Sequence, residues 1–98
     1  MDVDFEDPAL YRLETDASFD AGLDRAIVRA FRMRMQLIRA ADDERAFYCL
    51  KSLHFEKLKG DRLGQSSMRL NGKWRLLLRF TKDNRGKVVI IISIEDYH

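Results

Sequence analysis

The 98-residue sequence holds a single cysteine, Cys49, and a single proline, Pro8. A lone cysteine cannot close an internal disulfide, so an oxidising compartment is not required. With no second thiol to resolve it, Cys49 is expected to be a small buried hydrophobe. No apolar run approaches the ~18 residues that a membrane span needs. Met1-Asp2-Val3-Asp4 also lacks the basic and apolar regions of an export signal, so a cytoplasmic chain with no membrane partner is expected. Glycine is sparse too: there is no phosphate-cradling glycine loop and no nucleophile elbow. The two histidines and the cysteine stand in unrelated contexts, which argues against a structural zinc site, and no metal or cofactor is expected.

What is present is unevenly spread. Residues 1 to 24 carry eight acids against one base, Arg12, whereas the remainder holds seventeen bases and eight acids. A basic body of this kind attracts polyanions, and an acidic segment beside it either docks on it or stays solvated. The length suits one domain, residues 1–98, with a single modest core.

Val3 and Phe5 alternate with acids, as in a short strand, and Asp7-Pro8 then caps and opens a helix through Leu10 and Leu13. From about Asp20 to Ala41 the pattern is helical. Arg25, Arg29, Arg32, Gln36 and Arg39 fall on one stripe, opposite an apolar arc of Leu23, Ile27, Ala30, Phe31, Leu37 and Ile38. An arc this wide implies burial against a sheet and another helix. The stripe reads as a solvated face, with nucleic-acid contact as the alternative. Arg34 projects from the apolar arc and must either snorkel to an edge or find a carboxylate. Asp42 or Asp43 caps a shorter helix over Glu44 to Ser52, and Leu53 to Arg62 reads as a charged loop anchored by Phe55 and Leu58.

Ser66–Leu70 and Trp74–Thr81 are predicted strands joined near Asn71-Gly72, a hairpin signal. A plain two-residue loop would place Arg69 on the face of Trp74 and Leu76. A three-residue loop, or a two-residue loop with a bulge, instead pairs Leu70 with Trp74 and gathers Met68, Leu70, Trp74, Leu76, Leu78 and Phe80 on one face and Arg69, Arg75, Leu77 and Arg79 on the other. Burial selects this second register. Asp83-Asn84-Arg85-Gly86 makes the next turn, and Lys87–Ile94 is the apolar run of an interior strand. The expected fold is α+β with two layers: an N-terminal strand and helices packed on a small sheet, with a C-terminal three-stranded antiparallel meander.

Candidate chemistry concentrates in the second half. Lys57, Lys59 and Arg62 lie in the loop, Arg69, Arg75 and Arg79 on one sheet face, and Asp96, Tyr97 and His98 at the end. If the loop folds over that face, these groups meet in one basic cleft. Such a set suits RNA cleavage without a metal. That reaction needs a base for the 2′-OH, cations for the charge growing on the phosphate, and an acid for the leaving 5′-oxygen. Arginine offers phosphate a planar fork, and tyrosine and histidine move protons.

Leu58-Lys59-Gly60-Asp61-Arg62, Gly64-Gln65, Ser67-Met68-Arg69-Leu70-Asn71-Gly72-Lys73-Trp74-Arg75 and the closing Glu95-Asp96-Tyr97-His98 resemble the HigB branch of the RelE/ParE toxin superfamily, across roughly residues 53 to 98. Ser66 departs from the pattern, since relatives often place an aromatic there. The resemblance implies a RelE-like fold and the toxin of a type II toxin-antitoxin system. That toxin would be a ribosome-dependent endoribonuclease acting on messenger RNA and silenced by a helix-turn-helix, HigA-like antitoxin. It implies catalytic positions at Lys59 (phosphate binding or base duty), Arg75, Asp96, Tyr97 and His98, and RNA-binding positions at Lys57, Arg62, Arg69, Arg79 and His54. The general base is left open. The same scaffold also carries ParE-like gyrase poisons and is compatible with an inactive co-repressor, so scaffold alone does not choose among these.

Overall fold

The computed structural model describes residues 1–96. The elements run β1 (Asp2–Phe5), α1 (Pro8–Thr15), α2 (Arg25–Ala40), α3 (Arg45–Cys49), β2 (Glu56–Lys57), β3 (Ser66–Asn71), β4 (Trp74–Asp83) and β5 (Gly86–Asp96). The sheet order is β1-β5-β4-β3-β2, with β1 parallel to β5 and the other pairs antiparallel. This is the expected α+β arrangement with one strand more. Glu56 and Lys57, expected in a loop, pair with Ser67 and Ser66 as a short edge strand.

Local chemistry accounts for the element boundaries. The Asp7 carboxylate accepts from the Ala9 backbone N–H at 2.9 Å, with Pro8 opening α1. The long helix starts at Arg25, five residues later than its periodicity suggests. Ala21 and Gly22 take left-handed backbone (φ 54° and 74°), and the Asp20 carboxylate accepts from Gly22 N–H at 2.8 Å, closing a turn that a helix cannot continue. The Asp43 carboxylate accepts from Arg45 N–H at 2.9 Å, but α3 ends at Cys49 and a 3₁₀ turn over Lys51–Leu53 follows in place of a continuous helix to Ser52. On this short helix Phe47 is fully buried while Cys49 faces outward. The thiol is therefore exposed, and the expectation of a buried Cys49 is corrected.

The core lies between the helices and one face of the sheet. Leu10 and Leu13 of α1, Ile27, Phe31, Met35 and Ile38 of α2, and Phe47 meet Met68, Leu70, Leu76, Leu78, Val89 and Ile91. The hairpin sorts its faces as the bulged register requires, with Met68 opposite Leu76 and Arg69 opposite Arg75, but Leu70 is itself the extra residue, so Asn71 and not Leu70 pairs with Trp74. A second irregularity lies in β5, where Leu77 pairs with Ser93 but Leu78 with Ile91, so Ile92 is the extra residue. Beyond it the strand's phase is reversed. Ile94 turns to the helical side, while Ser93 and Glu95 join Arg75 and Leu77 on the other face.

The arginine stripe on α2 is only partly solvated. Arg32 is half-buried and donates to the carbonyls of Leu13, Asp16 and Phe19 at 3.0–3.1 Å, strapping the end of α1 and its following loop to α2. Arg39 forms a two-pronged pair with Glu14 at 2.7 Å. Arg34 finds a backbone carbonyl in place of a carboxylate, donating to Arg69 O at 3.0 Å. The acidic N-terminal segment docks on the basic body: Asp4 pairs with Arg85, Glu6 with Arg79 and Glu14 with Arg39.

Candidate active site

The outer sheet face, away from the helices, presents Arg69 and Arg75 at one ladder position, with Ser67 and Leu77 at the next on that face. Over it lies the segment 58–65. Its ends are tied by Leu58 N–H to the Gln65 carbonyl at 2.9 Å, and its tip is a 3₁₀ turn over Gly60–Arg62. Gly60 takes φ 65°, in the left-handed region where a side chain is strained. That conformation turns the chain sharply after the extended Lys59.

Loop and sheet enclose a cavity of about 370 Å³ lined by Leu58, Lys59, Arg62, Arg75, Leu77, Glu95 and Asp96. Four residues singled out in the sequence, Lys59, Arg62, Arg75 and Asp96, therefore come together. Leu58 and Leu77 supply apolar wall between the charged groups. Two larger hollows, of about 710 and 590 Å³, flank α2 on the opposite layer and are lined around Arg25, Arg29 and Met33. Size does not decide between them and the smaller cavity. Of the three, only the smaller one brings two carboxylates, Glu95 and Asp96, together with three cations.

The dominant contact inside the cavity was not anticipated. Arg62 meets Glu95 with both prongs, Nη1 to Oε2 at 2.9 Å and Nη2 to Oε1 at 2.7 Å, and Ser93 Oγ donates to Glu95 Oε2 at 2.8 Å. The Arg62 guanidinium holds the Glu95 carboxyl below its usual range, burial opposes this, and the Ser93 hydroxyl adds to the lowering; Arg62 is raised in turn by Glu95. Asp96 also reaches Lys73 Nζ at 3.4 Å. Glu95 and Lys73 stand inside the motif blocks of the sequence, which gave neither of them a role. Glu95 reaches this face only because of the irregularity at Ile92.

The remaining positions lie apart from the cavity. Arg69 is on the same face, with Nη1 at 3.5 Å from His54 Nε2; His54 itself takes left-handed backbone at φ 46°. Lys57 is exposed on the edge strand β2. Arg79 sits four residues beyond Arg75 along β4, about 13 Å away, and pairs with Glu6 at 3.2 Å. Tyr97 and His98 lie outside the described residues. Among the described residues no three His, Cys, Asp or Glu side chains converge as a metal site would require, and no helix is long and apolar enough to cross a membrane.

Residues 3–98 match the family described as the RelE-like toxin of type II toxin-antitoxin system HigB. A search by sequence finds no significant match among curated proteins. Among solved structures, the chain is similar to a YoeB/ParE toxin from Agrobacterium tumefaciens (20% identity, 100% of both chains, TM-score 0.63). It is also similar to YafQ from E. coli (11% identity, 97% of this chain and 91% of that one, TM-score 0.60). A third similar structure is a YoeB-YefM complex from Staphylococcus aureus (20% identity, 100% and 97% covered, TM-score 0.56). At these identities the structural likeness establishes the fold, which is that of the RelE/YoeB-like toxins.

Proposed function

Because the chain belongs to the RelE-like HigB toxins of type II toxin-antitoxin systems, we propose that it is a cytoplasmic, ribosome-dependent endoribonuclease that cleaves messenger RNA without a metal ion. The observation that carries this reading is the shared cavity of Lys59, Arg62, Arg75 and Asp96. Three cations within one hollow suit a phosphodiester, and the adjoining Asp96 carboxylate suits a hydrogen bond to a ribose hydroxyl.

In the proposed reaction the 2′-oxygen attacks the neighbouring phosphorus as its proton passes to a base. The bond to the 5′-oxygen breaks, and a proton is delivered to that oxygen, leaving a 2′,3′-cyclic phosphate and a free 5′-hydroxyl. Arg75 and Lys59 stabilise the charge growing on the non-bridging oxygens, the task at which preorganised donors contribute most. Proton transfer falls to Lys59 or to the terminal Asp96, Tyr97 and His98. Arg69, His54, Lys57 and Arg79 guide flanking RNA.

The proposed partner is a helix-turn-helix antitoxin of the HigA kind. A toxin-antitoxin pair among the structural relatives supports a protein partner. The test is expression of the chain without an antitoxin, with transcripts mapped at their ends. Translation arrest with new mRNA termini is expected, and both effects are lost in Lys59→Ala and Arg75→Ala. Normal growth, or DNA damage without mRNA fragments, would overturn the proposal.

A further inference from the structure

Arg62 lines the cavity, yet both of its prongs are occupied by Glu95, which Ser93 also holds. The groups facing Glu95 come from three elements: Arg62 from the 3₁₀ turn, its ladder partner Arg75 from β4, and Ser93 from its own strand, with Lys59 and Asp96 lining the same hollow. A carboxylate and a phosphate offer a guanidinium the same two-oxygen geometry and compete for it.

We infer that Glu95 is a positioning residue that occupies, in the free chain, the anion place at Arg62 that an RNA phosphate takes, so that RNA engages Arg62 by displacing Glu95. This rests on the nuclease reading of the cavity. The carboxylate offsets the charge of Arg62 in a hollow that Lys59 and Arg75 also line, and it holds the 3₁₀ turn against β5 in the conformation that presents Lys59. It also sets a threshold. A stray anion reaching Arg75 and Lys59 does not gain Arg62, whereas a strand whose phosphates match the spacing replaces the internal pair. Glu95 therefore tunes affinity for single-stranded RNA through Arg62 and touches no reacting atom.

The test measures binding of a short 2′-O-methyl single-stranded RNA, which cannot be cleaved through its 2′-oxygen, to the full chain across a salt series. Glu95→Gln keeps the shape and the contact with Ser93 but removes the charge. It is expected to tighten binding on the order of fivefold and to steepen the log–log salt dependence by about 0.7, the increment of one further phosphate contact on a single strand. Placed on Arg62→Ala, the same substitution is expected to lose that gain. A purely structural Glu95 would not sharpen salt dependence or couple to Arg62 in this way. Should E95Q not fold, Glu95→Asp, which draws the carboxylate back from Arg62, is expected to shift affinity in the same direction. Unchanged or weaker binding by a folded variant, or an equal gain without Arg62, overturns the inference while leaving the cavity reading standing. Wild-type binding that is indifferent to both Lys59→Ala and Arg75→Ala overturns the cavity reading, and the inference with it.

Discussion

Arg69 and Arg75 sit directly opposite each other on β3 and β4, two arginines at one ladder position of the outer sheet face. Like charges in that position cost stability, by roughly 0.2–1 kcal/mol relative to a neutral pair, and placing them there is understandable as a cost borne for anion binding. Arg69→Thr is therefore expected to raise the melting temperature by a few degrees while weakening mRNA cleavage severalfold. Differential scanning calorimetry and a reconstituted translation assay check the two halves. A variant that loses stability would show that Arg69 is structural.

Lys59 is exposed on the extended residue before the 3₁₀ turn, so its truncation separates chemistry from folding. Lys59→Ala should leave denaturant stability within ~0.5 kcal/mol and lower cleavage by about 10²–10³, the loss typical of one preorganised oxyanion donor. Single-turnover cleavage on programmed ribosomes measures the second number.

Arg32 is the opposite case. Its guanidinium satisfies three backbone carbonyls, of Leu13, Asp16 and Phe19, on the layer away from the cavity. Arg32→Met leaves them to water or unpaired and is expected to destabilise by about 2 kcal/mol, with cleavage per folded molecule unchanged. Arg32→Lys recovers little, because one ammonium cannot reproduce the planar fork.

The Arg62–Glu95 pair gives a pH dependence of defined sign. The folded-state value of Glu95 lies below its ordinary 4.5. The unfolded chain therefore binds the proton first as pH falls, and the stability the pair contributes is intact above that ordinary value. It is lost as pH drops through the lowered folded value. Both side chains are more than a third exposed, so solvent screening keeps the contribution small. Melting curves of wild type and Glu95→Gln should differ near neutrality, the variant being the less stable, and converge in acid.

Much of this was legible from residue order. Alternation at Met68, Leu70, Trp74, Leu76 and Leu78 dictated the hairpin's faces and so placed Arg69, Arg75 and Arg79 together on the other side, because a strand that slips by one residue exposes its whole apolar set. Asp7-Pro8 announced α1, and the 3.6-residue period announced α2. Boundaries were less legible where tertiary contact or turn chemistry competed with periodicity. The turn at Asp20–Gly22 delayed the start of the long helix to Arg25, and Arg32 left its solvated stripe for the carbonyls of Leu13, Asp16 and Phe19. Cys49 went outward because Phe47, two residues earlier on the same short helix, took the core.

For the cavity the division is sharper. The lysine-arginine loop and the hairpin arginines were readable as phosphate-seeking groups from their types and spacing. Glu95 was not, because β5 is an almost unbroken apolar run with no alternation to reveal its phase. The residue at which that phase reverses, Ile92, is selected by packing on two neighbouring strands and the helical layer. That reversal brings a carboxylate to Arg62 and converts a basic face into a cavity with a competing internal anion.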